Sequence, residues 1–341
     1  MDSLTQVALG AAVGHACWHR QLGDRPALLL GGALGLLPDL DVMLYPLMDE
    51  IQKLYWHRGE SHSLFFAVIG SLFFAWLFRK TRWGDKLTPR RAMAGVFLVL
   101  VTHYAIDCFN VYGTQLLAPV SRHGFQIGNM FVIDPLYTVP LLAGIIVAAI
   151  RRGPAGFRAN RAGLILSSLY VVFSLAAHGY ADHTFRRQLA AQNIEVQGSV
   201  TGATPLNTLL WRHVARTPDA LYVGYFSLIA DSPKRKIRFY RIPRNKDLVE
   251  PYLGQRNLEA IQWFSQGFWV ARKTGRGLEL ADLRFGELRM KPEDPPDRWR
   301  FLFVWDIDRD PDILLPRPRV SDGFGAALTL LRMQLTRGQQ Y

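Results

Sequence analysis

AMAGVFLVLVTHYAIDCFN, residues 92–110, sets an apolar run from Ala92 to Ile106 against His103, Asp107 and Asn110 at its end. On a helix of 3.6 residues per turn, His103 and Asp107 share a face and Asn110 follows one turn later. Ionisable side chains are costly in an apolar helix, so such residues face an interior polar site where each has a partner. A buried structural His–Asp pair accounts for these two residues alone. It does not account for the polar clusters found elsewhere in the same half of the chain.

Five more apolar runs surround this one: Leu4 to Cys17, Ala27 to Leu37, Leu64 to Phe78, Leu136 to Ile150 and Ala162 to Ala177. Each is shorter than the roughly 20 residues a full span needs. The links between them are short and basic, with Arg79, Lys80, Arg82, Lys86, Arg90 and Arg91 in one and Arg151, Arg152, Arg158 and Arg161 in another. Trp76, Trp83, Tyr104 and Tyr137 stand where interfacial anchors belong. The expected fold is therefore an α-helical membrane bundle of five or six apolar helices over residues 1–180, followed by a small α/β or β-rich soluble domain over 181–341. A soluble helical bundle with a greasy core is the alternative. The mean hydropathy of +0.05 averages two unlike halves.

A formal charge of +12 raises the question of nucleic acid. In the first half, however, many of the basic residues lie between apolar runs, which is a membrane pattern, and no nucleic-acid partner is expected. Cys17 and Cys108 both fall in apolar stretches and read as core residues. The opening Asp2, with no basic region before the first apolar run, argues against a cleaved signal peptide.

Short basic loops stay in the cytoplasm. With Arg20 and Arg25 also on that side, Asp39 and Asp41, His57 and His62, His103 and Asp107, and Asp134 all fall at the exoplasmic face. The expectation is a multi-pass protein of the bacterial inner membrane with its C-terminal domain periplasmic or otherwise extracytoplasmic.

In Leu36-Leu37-Pro38-Asp39-Leu40-Asp41, proline breaks an apolar helix and two carboxylates follow at alternate positions. Read as extended chain, they point the same way and repel unless a cation lies between them. A polar turn is the rival reading. In Trp56-His57-Arg58-Gly59-Glu60-Ser61-His62-Ser63, the two histidines suit a loop ligand and a helix-start ligand folding toward a common point, and a serine can cap the helix from Leu64. Arg58 either meets an anionic substrate or pairs with a carboxylate, the pairing being preferred.

His15 lies nearer the cytoplasmic end and is a ligand if its helix is half-embedded. Thr5 and Gln6 can support ligands from behind, and Asp134 is a helix cap or a supporting carboxylate. His178, Asp182 and His183 form a compact group that reads as an interfacial turn. The candidate metal ligands are thus His15, Asp39, Asp41, His57, His62, His103 and Asp107, with Arg58 and Asp134 in catalytic roles. Mixed nitrogen and oxygen donors suit zinc first, then manganese or iron, over magnesium or calcium.

Met1-Asp2-Ser3-Leu4-Thr5-Gln6, Pro38-Asp39-Leu40-Asp41, His57 to Ser63, and His103 to Asp107 followed by Asn110, Gly113 and Pro119 resemble the YdjM-like family of inner-membrane proteins described as metal-dependent hydrolases. The resemblance covers about residues 1–150 and implies membrane association and metal dependence. The helical His/Asp arrangement is also loosely similar to zinc-dependent phospholipase C. Many relatives carry histidine where this chain has Gln6, and the tryptophan-led N-terminal ligand of those phospholipases is absent.

In the second half, Leu221 to Ile229, Arg238 to Ile242, Gln262 to Lys273 and Phe301 to Ile307 have β character. Trp211, Trp263, Trp269, Trp299 and Trp305 read as core or interface aromatics. Neither half carries a phosphate-binding glycine loop, an HExxH or a Ser/His/Asp motif. The expected function is membrane-bound, metal-dependent hydrolysis of a phosphoester or lipid-linked substrate by water activated on the ion, with membrane lipid as neighbour. The alternative is a non-catalytic metal-binding scaffold or a divalent-ion carrier. Ligands crowded on one side argue against a carrier, and their number exceeds the needs of one structural zinc.

Overall fold

The first helix, α1 (Ser3–Leu22), is started by the Asp2 side chain, which accepts from the Thr5 amide. In the computed structural model, residues 1–81, 85–275, 277–289, 294–317 and 324–338 are described. Helix α2 (Asp24–Leu36) runs into a 3-10 segment, Leu37–Leu47, and then come α3 (Glu50–Trp56), a 3-10 turn at Glu60–His62 and α4 (Leu64–Arg79). Ser63 caps α4 as its sequence suggests, accepting from Phe66. Helix α5 (Pro89–Asp107) follows the Thr88 cap, and α6 (Pro135–Arg151) starts from Asp134. Helix α7 (Gly153–Ala191) is 39 residues long.

Contacts divide the chain into two units. The first holds residues 1–46, 56–126 and 131–175. Helices α1 and α2 meet backbone to backbone there: a Cβ on Gly31 would lie 2.3 Å from the Gly10 carbonyl oxygen, and one on Gly14 would lie 2.5 Å from Gly31 Cα. Only glycine permits this approach. Trp18 fills the space beside Gly95 of α5, in a core with Val96, Val99, Leu100 and Tyr104.

Among the described residues, two helical stretches, Asp24–Leu47 and Gly153–Ala191, are long and apolar enough to cross a membrane, or three if the pair Glu50–His62 and Leu64–Arg79, bent by 55°, counts as one span. This is fewer than the five or six apolar helices expected. Helix α6 stops at 17 residues. In α1 and α5 the apolar character is diluted by polar side chains turned inward, among them Thr5, Gln6, His15, His103 and Asp107. Exposed apolar side chains lie on α4 (Ile69, Phe73, Trp76), α6 (Leu136, Val139, Ile150) and α7 (Leu166, Leu169, Val172), and on the 3-10 segment (Met43, Leu47). Trp76 is exposed, with Lys80 over its ring, as an anchor should be. Tyr104 and Tyr137 are instead buried core residues, and Arg82 and Trp83 lie outside the described residues.

The second unit holds residues 47–55, 127–130 and 176–341. Among the described residues it contains two four-stranded antiparallel sheets. One has the order β1 (Gly198–Ala203), β2 (Leu210–Arg216), β3 (Ala220–Ser227), β4 (Phe239–Pro243). The other runs β5 (Trp269–Thr274), β6 (Gly277–Leu288), β7 (Arg300–Ile307), β8 (Leu314–Pro316). The β-rich expectation holds, with helices α8 (Arg256–Phe264) and α9 (Phe324–Arg337) added. The expected strand from Gln262 starts late because Gln262–Phe264 close α8. Trp211, Trp269, Trp299 and Trp305 are buried, and Trp263 stacks on Tyr55 with ring centroids 4.4 Å apart. Inside the unit, Arg212 lies 2.7 Å from buried Glu287, which also accepts from the Tyr225 hydroxyl. Burial opposes charge on Glu287, but Arg212 and Arg289 outweigh it and hold the carboxyl below its usual range.

Candidate metal centre

Asp107 ends α5, and its two oxygens have different surroundings. Oδ1 is 3.1 Å from the Arg58 guanidinium, accepts from Gln6 Nε2 at 3.0 Å, and pairs with the Met1 amino group. Oδ2 is buried and accepts no hydrogen bond among the described residues, yet His62 Nε2 and His103 Nε2 lie 3.4 Å and 3.5 Å from it. One oxygen is anchored and the other is presented.

The two imidazoles are presented in the same way. His103 Nδ1 donates to the Gly35 carbonyl at 2.7 Å, which fixes the tautomer and leaves the Nε2 lone pair facing inward. His62 Nδ1 is engaged by Ser61 Oγ at 2.9 Å, and the hydroxyl of Tyr104 donates to the Ser61 carbonyl. The two Nε2 atoms are 3.2 Å apart. Asp39, from the 3-10 segment, completes the group with Oδ1 at 3.3 Å from His62 Nε2 and 3.6 Å from His103 Nε2.

These four donors fit a metal ion. Bonds of about 2.0–2.1 Å in a tetrahedron imply ligand atoms about 3.3–3.4 Å apart. Five of the separations fall between 3.2 and 3.6 Å, and all four atoms lie within 4.8 Å of one another. Two carboxylates and two imidazoles cannot converge this closely in a largely buried site without a cation or shared protons to hold them.

The remaining sequence candidates divide. Asp41 and His57 pair with each other at 3.3 Å and lie beside this group, the His57 and His62 ring centroids being 6.4 Å apart. The expectation that Asp39 and Asp41 point the same way on extended chain is not met, because residues 37–47 are 3-10 helix and the two carboxylates diverge. Arg58 pairs with Asp107, as preferred, and also donates to Asn110 Oδ1 at 3.1 Å. His15 is about 13 Å along α1 from Gln6. There it meets Asp24 at 2.8 Å and stacks on His19, so it does not join the group. Asp134 does not join it either: it caps α6 and accepts from the Tyr170 hydroxyl at 2.9 Å. The Gly35 carbonyl and Ser61 went unnamed in the sequence reading because nothing in a sequence marks a main-chain oxygen or a lone serine that only folding brings behind a ligand.

Residues 1–181 match the family described as YdjM inner membrane protein. The chain belongs to this family. It is therefore a membrane protein, which agrees with its apolar helices. It is also similar to the uncharacterised protein YfhP of Bacillus subtilis (strain 168), with 27% identity over 240 residues, 66% of this chain and 68% of that one. No solved structure matches.

Proposed function

We propose that this YdjM-family chain is a membrane-bound, metal-dependent hydrolase acting on a phosphoester or lipid-linked substrate, with zinc as its ion and manganese or iron as alternatives. The observation that carries the reading is the convergence of Asp39, His62, His103 and Asp107 at tetrahedral spacing. An ion held there would supply Lewis acidity and lower the pKa of a water toward about 7. The protein does the rest. His62, His103 and Asp107 have side chains no more than 1% exposed, whereas Asp39 is 18% exposed. Asp39 thus marks the side from which substrate and water would enter. Arg58 fixes Asp107 and contributes positive charge beside the site where a phosphoryl oxygen would gain negative charge.

The same reading places the chain as a multi-pass protein of the inner membrane, lipid on its flanks, with its C-terminal domain outside the cytoplasm. Its support is the basic character of the links after α4 and α6. The second reading, a closed structural or ion-holding site, is favoured by the presence of four protein donors instead of three. Detergent-purified protein is assayed on a generic phosphodiester and a phosphomonoester beside Asp39→Asn. The hydrolase reading expects turnover by the parent and a loss of at least about tenfold in the variant. No turnover by metal-loaded parent protein leaves the structural reading in its place.

A further inference from the structure

We infer that Asp41 and His57 form a second cation position beside the first, so that the centre takes two divalent ions; this rests on the metal centre proposed above. A 3-10 helix has three residues per turn, so Asp39 and Asp41 leave their segment about 120° apart. Asp39 goes to His62 and His103, and Asp41 goes to His57. The carboxylates therefore serve two places, not one.

The Asp41 side chain is only 7% exposed. Its Oδ2 accepts from the Arg58 amide at 3.2 Å and lies 3.3 Å from His57 Nδ1. Its Oδ1 is buried with no hydrogen-bond partner among the described residues. A buried carboxylate oxygen left without a donor calls for a ligand. The 3.3 Å separation again equals about the edge of a tetrahedron with bonds near 2.0–2.1 Å. The backbone is bent to make this arrangement: Arg58 takes φ 55°, a left-handed conformation that is costly outside glycine. That turn aims its amide at Asp41 while its guanidinium reaches Asp107.

With the His57 and His62 rings 6.4 Å apart between centroids, the two positions are close enough for a paired centre, in which ions stand about 3.5–4 Å apart. In such a pair the second ion takes the opposite side of a transferring phosphoryl group. Nitrogen and oxygen donors again favour zinc or manganese.

The test uses full-length protein in detergent, stripped with a chelator and titrated with zinc in competition with a chromophoric chelator. The parent is expected to bind two equivalents per chain, and His57→Ala and the near-isosteric Asp41→Asn one each, with melting curves of the zinc-free proteins showing that all three are folded. One equivalent in the parent and in both variants overturns the second position and leaves the first standing. No tight zinc in the parent overturns the first centre and this inference with it.

Discussion

At the residue scale, the decisive feature is how each donor is held from behind. Gly35 holds His103, Ser61 holds His62, and Gln6 with Arg58 holds one oxygen of Asp107. The i, i+4 spacing of His103 and Asp107 was legible because a helix makes it so. Gln6 and Arg58 were legible as supports, but that both hold Asp107 was not, and neither were the Gly35 carbonyl and Ser61 behind the two imidazoles. The divergence of Asp39 and Asp41 was also illegible: a proline after an apolar run reads equally as a break or as the first turn of a tighter helix.

A second residue-scale consequence lies in the β-rich unit. His213 is fully buried on β2, with Nδ1 2.7 Å from Thr201 Oγ1, and burial pushes its pKa down to about 3. Its unfolded value is near 6.5, so below that pH the unfolded chain takes up a proton that the folded one refuses. Stability contributed by neutral His213 is therefore complete above pH 6.5 and is lost as pH falls toward 3. Thermal melts at pH 7.5 and pH 5 should show a drop for the parent protein that is smaller in His213→Leu. An equal drop in both would remove His213 as the cause.

At the element scale, α1 and α2 owe their contact to Gly10, Gly14, Gly31 and Gly35. The α1–α2 pair carries Gln6 at one helix and the Gly35 carbonyl at the end of the other, so its separation sets the back wall of the candidate metal centre. Gly31→Val puts a branched side chain where a single Cβ already falls 2.3 Å from a carbonyl oxygen. The expected outcome is loss of the folded monodisperse protein, or a fall in stability of several kcal/mol, on the order of 3 or more, read by size-exclusion chromatography and thermal melting in detergent. Wild-type behaviour of this variant would mean that the two helices are not packed backbone to backbone. The sequence reading drew nothing from these glycines, because a glycine inside an apolar run does not announce which helix its bare face will meet.

At the scale of the whole molecule, a buried polar site in an apolar helical half and a β-rich second half were both legible. The first followed from ionisable groups at the ends of apolar runs, the second from short alternating strands. The number of spans was overestimated, because an apolar run marks a helix segment buried among protein helices as readily as one facing lipid: Val96, Val99 and Leu100 of α5 pack on Trp18 and its neighbours. Strands β2 and β6 were missed because charged residues such as Arg212, Glu279 and Asp282 interrupt their alternation, and those charges are buried in ion pairs; β1 (GSVTGA) and the three-residue β8 were missed because they hold too few large apolar residues to show a pattern. The two short segments 47–55 and 127–130 belong with the β-rich unit although they are flanked in sequence by the helical one, which no local pattern announces.

The claim on which the rest depends is that Asp39, His62, His103 and Asp107 hold a divalent ion. Elemental analysis of the detergent-purified parent protein beside His103→Ala tests it most directly. The account predicts zinc, manganese or iron bound to the parent at one or more equivalents per chain and sharply reduced in the variant. Equal metal in both proteins, or none in either after loading, would contradict it and return these residues to a network of buried hydrogen bonds.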